Sequence, residues 1–123
     1  MATYEEFLER IKVTVNGREF NSISDVRVPS FKFAFIKDGY KINQHHLSIQ
    51  ASEYHYCLPR ENVKEYTHVE IGFPSFEFSE DFINKYADDP TEPCDTIYGY
   101  VPIEELALEL HNFCKKQHNE TIF

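Results

Sequence analysis

The sequence predicts a single α+β domain: a largely antiparallel sheet of about five or six strands, with a C-terminal amphipathic helix packed on one face. Three observations carry this. Short alternating runs of β-branched and aromatic residues recur through the first hundred positions. Asn16-Gly17 and Asp38-Gly39, dipeptides suited to tight hairpin turns, stand between such runs. After Pro102 the period changes, and Ile103, Leu106, Ala107, Leu110, Phe113 and Cys114 form one apolar stripe at helical spacing. A chain of 123 residues fills one hydrophobic core, so residues 1–123 read as one domain.

Thr3 with Glu6 forms a capping-box pattern, and a short helix follows over about Thr3–Arg10. Ile11, Val13 and Val15 then alternate with polar residues before Asn16-Gly17 and Arg18-Glu19-Phe20, which predicts a β-hairpin. Asp25–Val28 reads as a short strand before Pro29. Phe31, Phe33 and Phe35 predict a strand with an aromatic inner face, and Asp38-Gly39 turns the chain back into Tyr40, Ile42, Leu47 and Ile49. The parity of apolar positions breaks between Ile42 and Leu47, so a bulge is expected at Asn43–His46.

Ser52–Asn62 carries Pro59 and reads as a strand end passing into a loop. Thr67–Phe73 returns to strand with Val69, Ile71 and Phe73 on one face. Ser79 is placed to cap a short helix bearing Phe82, Ile83 and Tyr86. Asp88–Asp95, with two prolines and four carboxylates, reads as an exposed loop, and Thr96–Val101 as strand. Pro102 suits the first position of the last helix. The expected core is Val13, Val15, Phe33, Phe35, Ile49, Val69, Ile71, Leu106, Leu110 and Phe113.

Composition excludes several classes. Hydrophobic residues at 41% and charged residues at 27% argue for a globular chain rather than a disordered one. The formal charge is −9, and its distribution is uneven: residues 61–109 hold Lys64 and Lys85 against 13 carboxylates, a net of −11. Phosphate binding requires clustered Lys and Arg, so direct binding of DNA or RNA is not expected. Glu5, Glu6 and Glu9 interrupt any secretory signal, and no apolar run is long enough to span a membrane. Cys57, Cys94 and Cys114 are odd in number and widely spaced, which fits free thiols in the reducing cytoplasm.

His111, Cys114 and His118 lie at i, i+3 and i+7 of the last helix, residue types and spacing that suit zinc. Cys114, however, sits in the apolar stripe, where a thiol packs as a small hydrophobe, and no second paired-ligand motif completes a site. His45 and His46 point to opposite faces of a strand, which makes a poor chelate, and a solvated edge is expected there. His55 and Cys57 lack any sequence-local group that would activate a thiolate. The carboxylates of Asp88, Asp89, Glu92 and Asp95 lack the spacing and glycine of a calcium loop. No phosphate-binding glycine loop or nucleophile elbow occurs. No cofactor is implied.

The sequence therefore reads as a binding protein rather than an enzyme. Tyr54, Tyr56 and Arg60 are of the types that dominate contact hot spots. Glu77, Glu80, Asp81, Asp88, Asp89, Glu92 and Asp95, interleaved with aromatic residues, could imitate phosphate spacing and occupy a basic groove of a protein partner. In composition this is similar to small acidic inhibitors of nucleic-acid-handling proteins: anti-CRISPR proteins, anti-restriction proteins and immunity proteins against nuclease toxins. The alternatives are a zinc-dependent or Cys/His enzyme domain, and a small-molecule sensor with its pocket between the aromatic sheet face and the last helix. An acidic surface that only keeps the chain in solution is the plainest reading of the same charge.

Overall fold

The N-terminal segment sets one wall of the core. The backbone N–H of Glu6 donates to Thr3 Oγ1 at 3.2 Å, and that of Thr3 donates to Glu6 Oε1 at 3.4 Å, completing the capping box. The helix that follows, α1, runs Tyr4–Asn16, beyond the expected end at Arg10. Phe7, Ile11 and Val15 fall at i, i+4 and i+8 and are all buried, whereas Val13 is 61% exposed. Ile11 and Val15 thus belong to a helical stripe that began at Phe7, and the alternation that predicted a strand arm is incidental. The first arm of the Asn16-Gly17 hairpin is therefore corrected to helix, and Val13 leaves the core.

The computed structural model describes residues 2–16, 30–52, 54–61, 63, 65–117 and 120–123. Arg18–Phe20 and the Asp25–Val28 strand lie outside them. After α1 come β1 (Ser30–Lys37), β2 (Tyr40–Gln50), β3 (His68–Gly72), α2 (Glu80–Tyr86), β4 (Ile97–Pro102), α3 (Ile103–Gln117) and β5 (Glu120–Ile122). The five strands form one antiparallel sheet in the order β4-β3-β2-β1-β5.

Asp38 (φ 53) and Gly39 (φ 79) turn β1 into β2 with both central residues in the left-handed region, as a tight hairpin requires. The expected bulge is present. Phe33 pairs with His45 but Phe35 with Ile42, and the extra residue is absorbed where Asn43 takes φ 47. That shift lets Phe31, Phe33 and Phe35 stay buried while the hairpin tip, with Tyr40 75% exposed, runs out into solvent. β5 was not expected. Three residues carry too little pattern to read, yet Thr121 pairs with Phe35, and Phe123 then packs its ring against Phe7 at 5.1 Å.

β4 passes into α3 without a loop, because Pro102 ends the strand and Ile103 N–H donates to Thr67 O at 3.1 Å. Ile103, Leu106, Ala107, Leu110 and Cys114 are buried on the sheet and α1, and Phe113 is half-buried at the margin. In β3, Val69 and Ile71 face the core, but Phe73 lies beyond the strand at φ 46 and is 54% exposed. Its expected place on the inner face is corrected by the chain's turn after Gly72. Ser79 caps α2, its hydroxyl accepting Phe82 N–H at 3.4 Å.

His45 also departs from expectation. It faces inward, with ring centroids 5.4–6.0 Å from Phe33, Phe35, Phe76 and Phe113, while His46 faces out. Burial, and then the neighbouring His46, hold the His45 pKa below its ordinary 6.5. Above that pH the ring is neutral in folded and unfolded chains alike. As pH falls below it, the unfolded chain takes up a proton that the folded one binds less readily, so stability falls with pH. His45→Phe should flatten this slope between about pH 6.5 and 5 in urea titrations. An unchanged slope would place the acid sensitivity elsewhere.

Candidate functional site

β4 is the last strand on its side of the sheet, so one row of its backbone groups has no neighbouring strand. One segment borders that row. Ala87 bridges to Tyr98, and Asp88 N–H donates to Ile97 O at 2.9 Å. Further along, Tyr100 N–H donates to Tyr56 O at 2.9 Å. Ile97 and Tyr100 are three positions apart on β4, roughly 10 Å of strand. Loop 52–60 comes to Tyr100 from the other side of β3, where Leu58 bridges to His68, so it crosses β3 and meets β4 beside the acidic loop 88–95.

The acidic lobe is assembled around Tyr98. This side chain is fully buried, and its hydroxyl donates to Pro93 O at 2.6 Å. Its pKa is pushed up to about 12, first by burial and then by Cys94, Glu77 and Glu109. Asp89 N–H donates to Thr96 Oγ1 at 3.0 Å, which ties the loop to β4. Thr91, through its hydroxyl and its N–H, holds the Asp89 pKa below the ordinary carboxylate value.

Glu80 and Asp81 occupy the first turn of α2, where the helix dipole favours negative charge. α3 closes the lobe: Glu109 Oε1 accepts Ser79 N–H at 2.6 Å, and Glu105 Oε1 meets Lys85 Nζ at 2.6 Å. That is the lobe's one ion pair among the described residues. Glu77, Glu80, Asp81, Asp88, Asp89, Glu92 and Asp95 are all exposed. Lys115 and Lys116 line an open cleft of about 590 Å³ together with Glu77 and Glu109. The interface between aromatic sheet face and last helix, the place expected for a small-molecule pocket, holds packed Phe rings such as Phe76 and Phe113, 4.6 Å apart.

The tyrosine loop is fastened from beneath. Ser52 Oγ lies 2.6 Å from His55 Nδ1 and accepts Tyr54 N–H at 3.1 Å, while His55 Nε2 is 3.9 Å from Glu70 Oε2 on β3. Serine, imidazole and carboxylate in line are the groups acyl-transfer chemistry uses, but Ser52 is only 3% exposed and closed off under the loop. Burial raises the Glu70 pKa and Arg60 opposes it. Cys57 is buried, donates to Ser52 O at 3.2 Å, and has its pKa raised chiefly by burial, which keeps it an inert thiol. A Cβ at Gly99 would stand 3.2 Å from Tyr56 Cβ, so glycine lets the loop lie close on the strand.

Above this fastening, Tyr54 (59% exposed), Tyr56 (43%), Leu58 (42%) and Tyr100 (42%) face solvent. Tyr56 and Tyr100 rings are 5.7 Å apart, and the Arg60 guanidinium lies 5.2 Å from the Tyr56 centroid. Tyr100 takes φ 53, a strained conformation for a bulky residue, and is held there by its bond to Tyr56.

Arg60 and Tyr100 both meet Tyr56, and Tyr54 and Leu58 are exposed on the same loop. Nothing local marks Tyr100 as a surface residue; only the sheet's edge position does. Of the zinc candidates, Cys114 is fully buried with its pKa pushed up to about 11, chiefly by burial, and His111 is half-buried. His118 lies outside the described residues. Among the described residues no three His, Cys, Asp or Glu side chains are grouped to hold a metal ion. No helix among them is long and apolar enough to cross a membrane.

No known protein family matches this chain, and neither does any curated protein or solved structure. What the fold defines is a small α+β protein, a five-stranded antiparallel sheet with the helix α3 packed on it.

Proposed function

We propose that the chain is a non-enzymatic binding protein of the cytoplasm that docks its acidic lobe on a basic surface of another protein. The observation that supports it is the exposed carboxylates of Glu77, α2 and loop 88–95, on a frame tied to β4 through Tyr98 and Thr96, with Lys85–Glu105 the one ion pair of this region among the described residues. Unneutralised charge on a rigid frame steers a basic partner and selects against acidic ones. Carboxylates spaced in this way can stand in for phosphates in a groove that handles nucleic acid. An inhibitor of the anti-CRISPR, anti-restriction or immunity-protein type is the specific form of this reading.

Capture from native-host extract at low salt, with the bound protein identified, tests it. The partner should present a basic surface, and affinity should fall steeply with added salt. Replacing Asp88, Asp89, Glu92 and Asp95 together by Lys should weaken binding by about 30-fold, a little over twofold for each lost contact. A partner bound equally well at high and low salt, or unaffected by the four replacements, would sink the proposal.

A further inference from the structure

The aromatic patch beside the lobe has a chemistry of its own. Tyr54, Tyr56 and Tyr100 are exposed, and the guanidinium of Arg60 sits against the Tyr56 ring. The backbone of Asp88 joins β4 at Ile97, three positions or roughly 10 Å of strand from Tyr100, that of Asp89 joins it at Thr96, and exposed Glu61 and Glu65 lie in the chain just beyond Arg60. This surface thus offers exposed tyrosines with carboxylates near them and a built-in cation, Arg60.

We infer that this surface beside β4 binds an extended, arginine-bearing segment of the protein partner, one guanidinium stacking on Tyr100 and a second basic side chain reaching Asp88 and Asp89. The inference rests on the docking proposal and says which part of the partner is read. An extended chain places alternate side chains on one side about 6.6 Å apart, so basic residues at i and i+2 or i+4 span the distance. A planar guanidinium stacks on tyrosine and pairs with carboxylates through a fixed fork. A lysine ammonium meets the same charges as a point. Arginine is therefore preferred to lysine. The Ser52–His55–Glu70 fastening and the Tyr100–Tyr56 bond hold the rings in place beforehand, which lowers the ordering cost of binding.

The probe is a fluorescent peptide of alternating Arg and Ser, with its Lys counterpart, titrated against the whole protein at low salt. The Arg peptide should bind several-fold more tightly than the Lys peptide. It should shift the amide resonances of 54–60 and 97–101 as well as those of 88–95. Tyr54→Ala with Tyr100→Ala should weaken the Arg peptide by about tenfold, and the Lys peptide less. Circular dichroism confirms that the variant folds, and the wild-type amide shifts give a reading independent of any variant.

Binding with shifts confined to 88–95, equal affinity for both peptides and no effect of the tyrosine replacements would overturn this inference and leave the docking proposal standing. No binding of either peptide at low salt would overturn both. A concentration-dependent dimer that the tyrosine replacements dissolve would assign the patch to a second copy of this chain and overturn the inference as well.

Discussion

Phe33→Ala is expected to remove about 3–5 kcal/mol of stability, lowering the thermal midpoint by roughly 10–20 °C. Phe33 is 1% exposed, and its ring lies 5.4–6.4 Å from those of Phe7, Phe31, Phe35, His45, Phe76 and Phe113. Those partners come from α1, β1, β2, the segment before α2, and α3. One side chain therefore joins most of the layers, and no single neighbour can move into the space it leaves. A void lined by rings loses both transfer free energy and dispersion contacts. Urea denaturation should show a lower midpoint. Val13→Ala serves as the internal contrast. Val13 is 61% exposed on a helix, so its truncation should change stability by less than ~0.5 kcal/mol. A large loss at Val13 with a small one at Phe33 would mean that α1 and the sheet are packed differently from the arrangement described.

That contrast also marks where the sequence could and could not be read. Asp38-Gly39, the parity break at Asn43–His46 and the stripe of α3 each rest on a local rule: positive φ in a two-residue turn, the two-residue period of a strand, the 3.6-residue period of a helix. All three are present in the fold. Ile11–Val15 failed because residues four apart and residues two apart coincide there, and only the link back to Phe7 separates helix from strand. β5 failed because its pairing with β1 is a long-range event written in three residues. His45 looked like a solvated residue because nothing beside it in sequence reveals Phe76 and Phe113 above it.

The candidate site divides in the same way. Tyr54, Tyr56 and Arg60 are neighbours in sequence, so their place on one loop could be read directly. Tyr100 and Glu70 reach that loop from β4 and β3. The acidic residues were visible as a charge run, but their frame was not. Tyr98, whose hydroxyl holds the loop at Pro93 O, looks in sequence like any strand tyrosine.

Tyr98 is accordingly where stability and binding should fail together. Its ring is packed 5.1 Å from Phe78 and 5.8 Å from Phe82, and its hydroxyl holds Pro93 O. Tyr98→Phe keeps the ring and removes only that bond, leaving the carbonyl to find water, at about 1 kcal/mol. Tyr98→Ala removes the ring as well and should cost ~3–5 kcal/mol. The two variants separate packing from preorganisation. If the lobe works because loop 88–95 is held in one shape, Tyr98→Phe should speed hydrogen exchange at the Asp88 and Asp89 amides, which bond to Ile97 O and Thr96 Oγ1, while α3 amides stay protected. Partner affinity should then fall by severalfold with net charge unchanged, because ordering the loop becomes part of the cost of binding. Unchanged exchange and affinity in Tyr98→Phe would show that the ring alone fixes the loop and that the hydroxyl's contact with Pro93 is incidental.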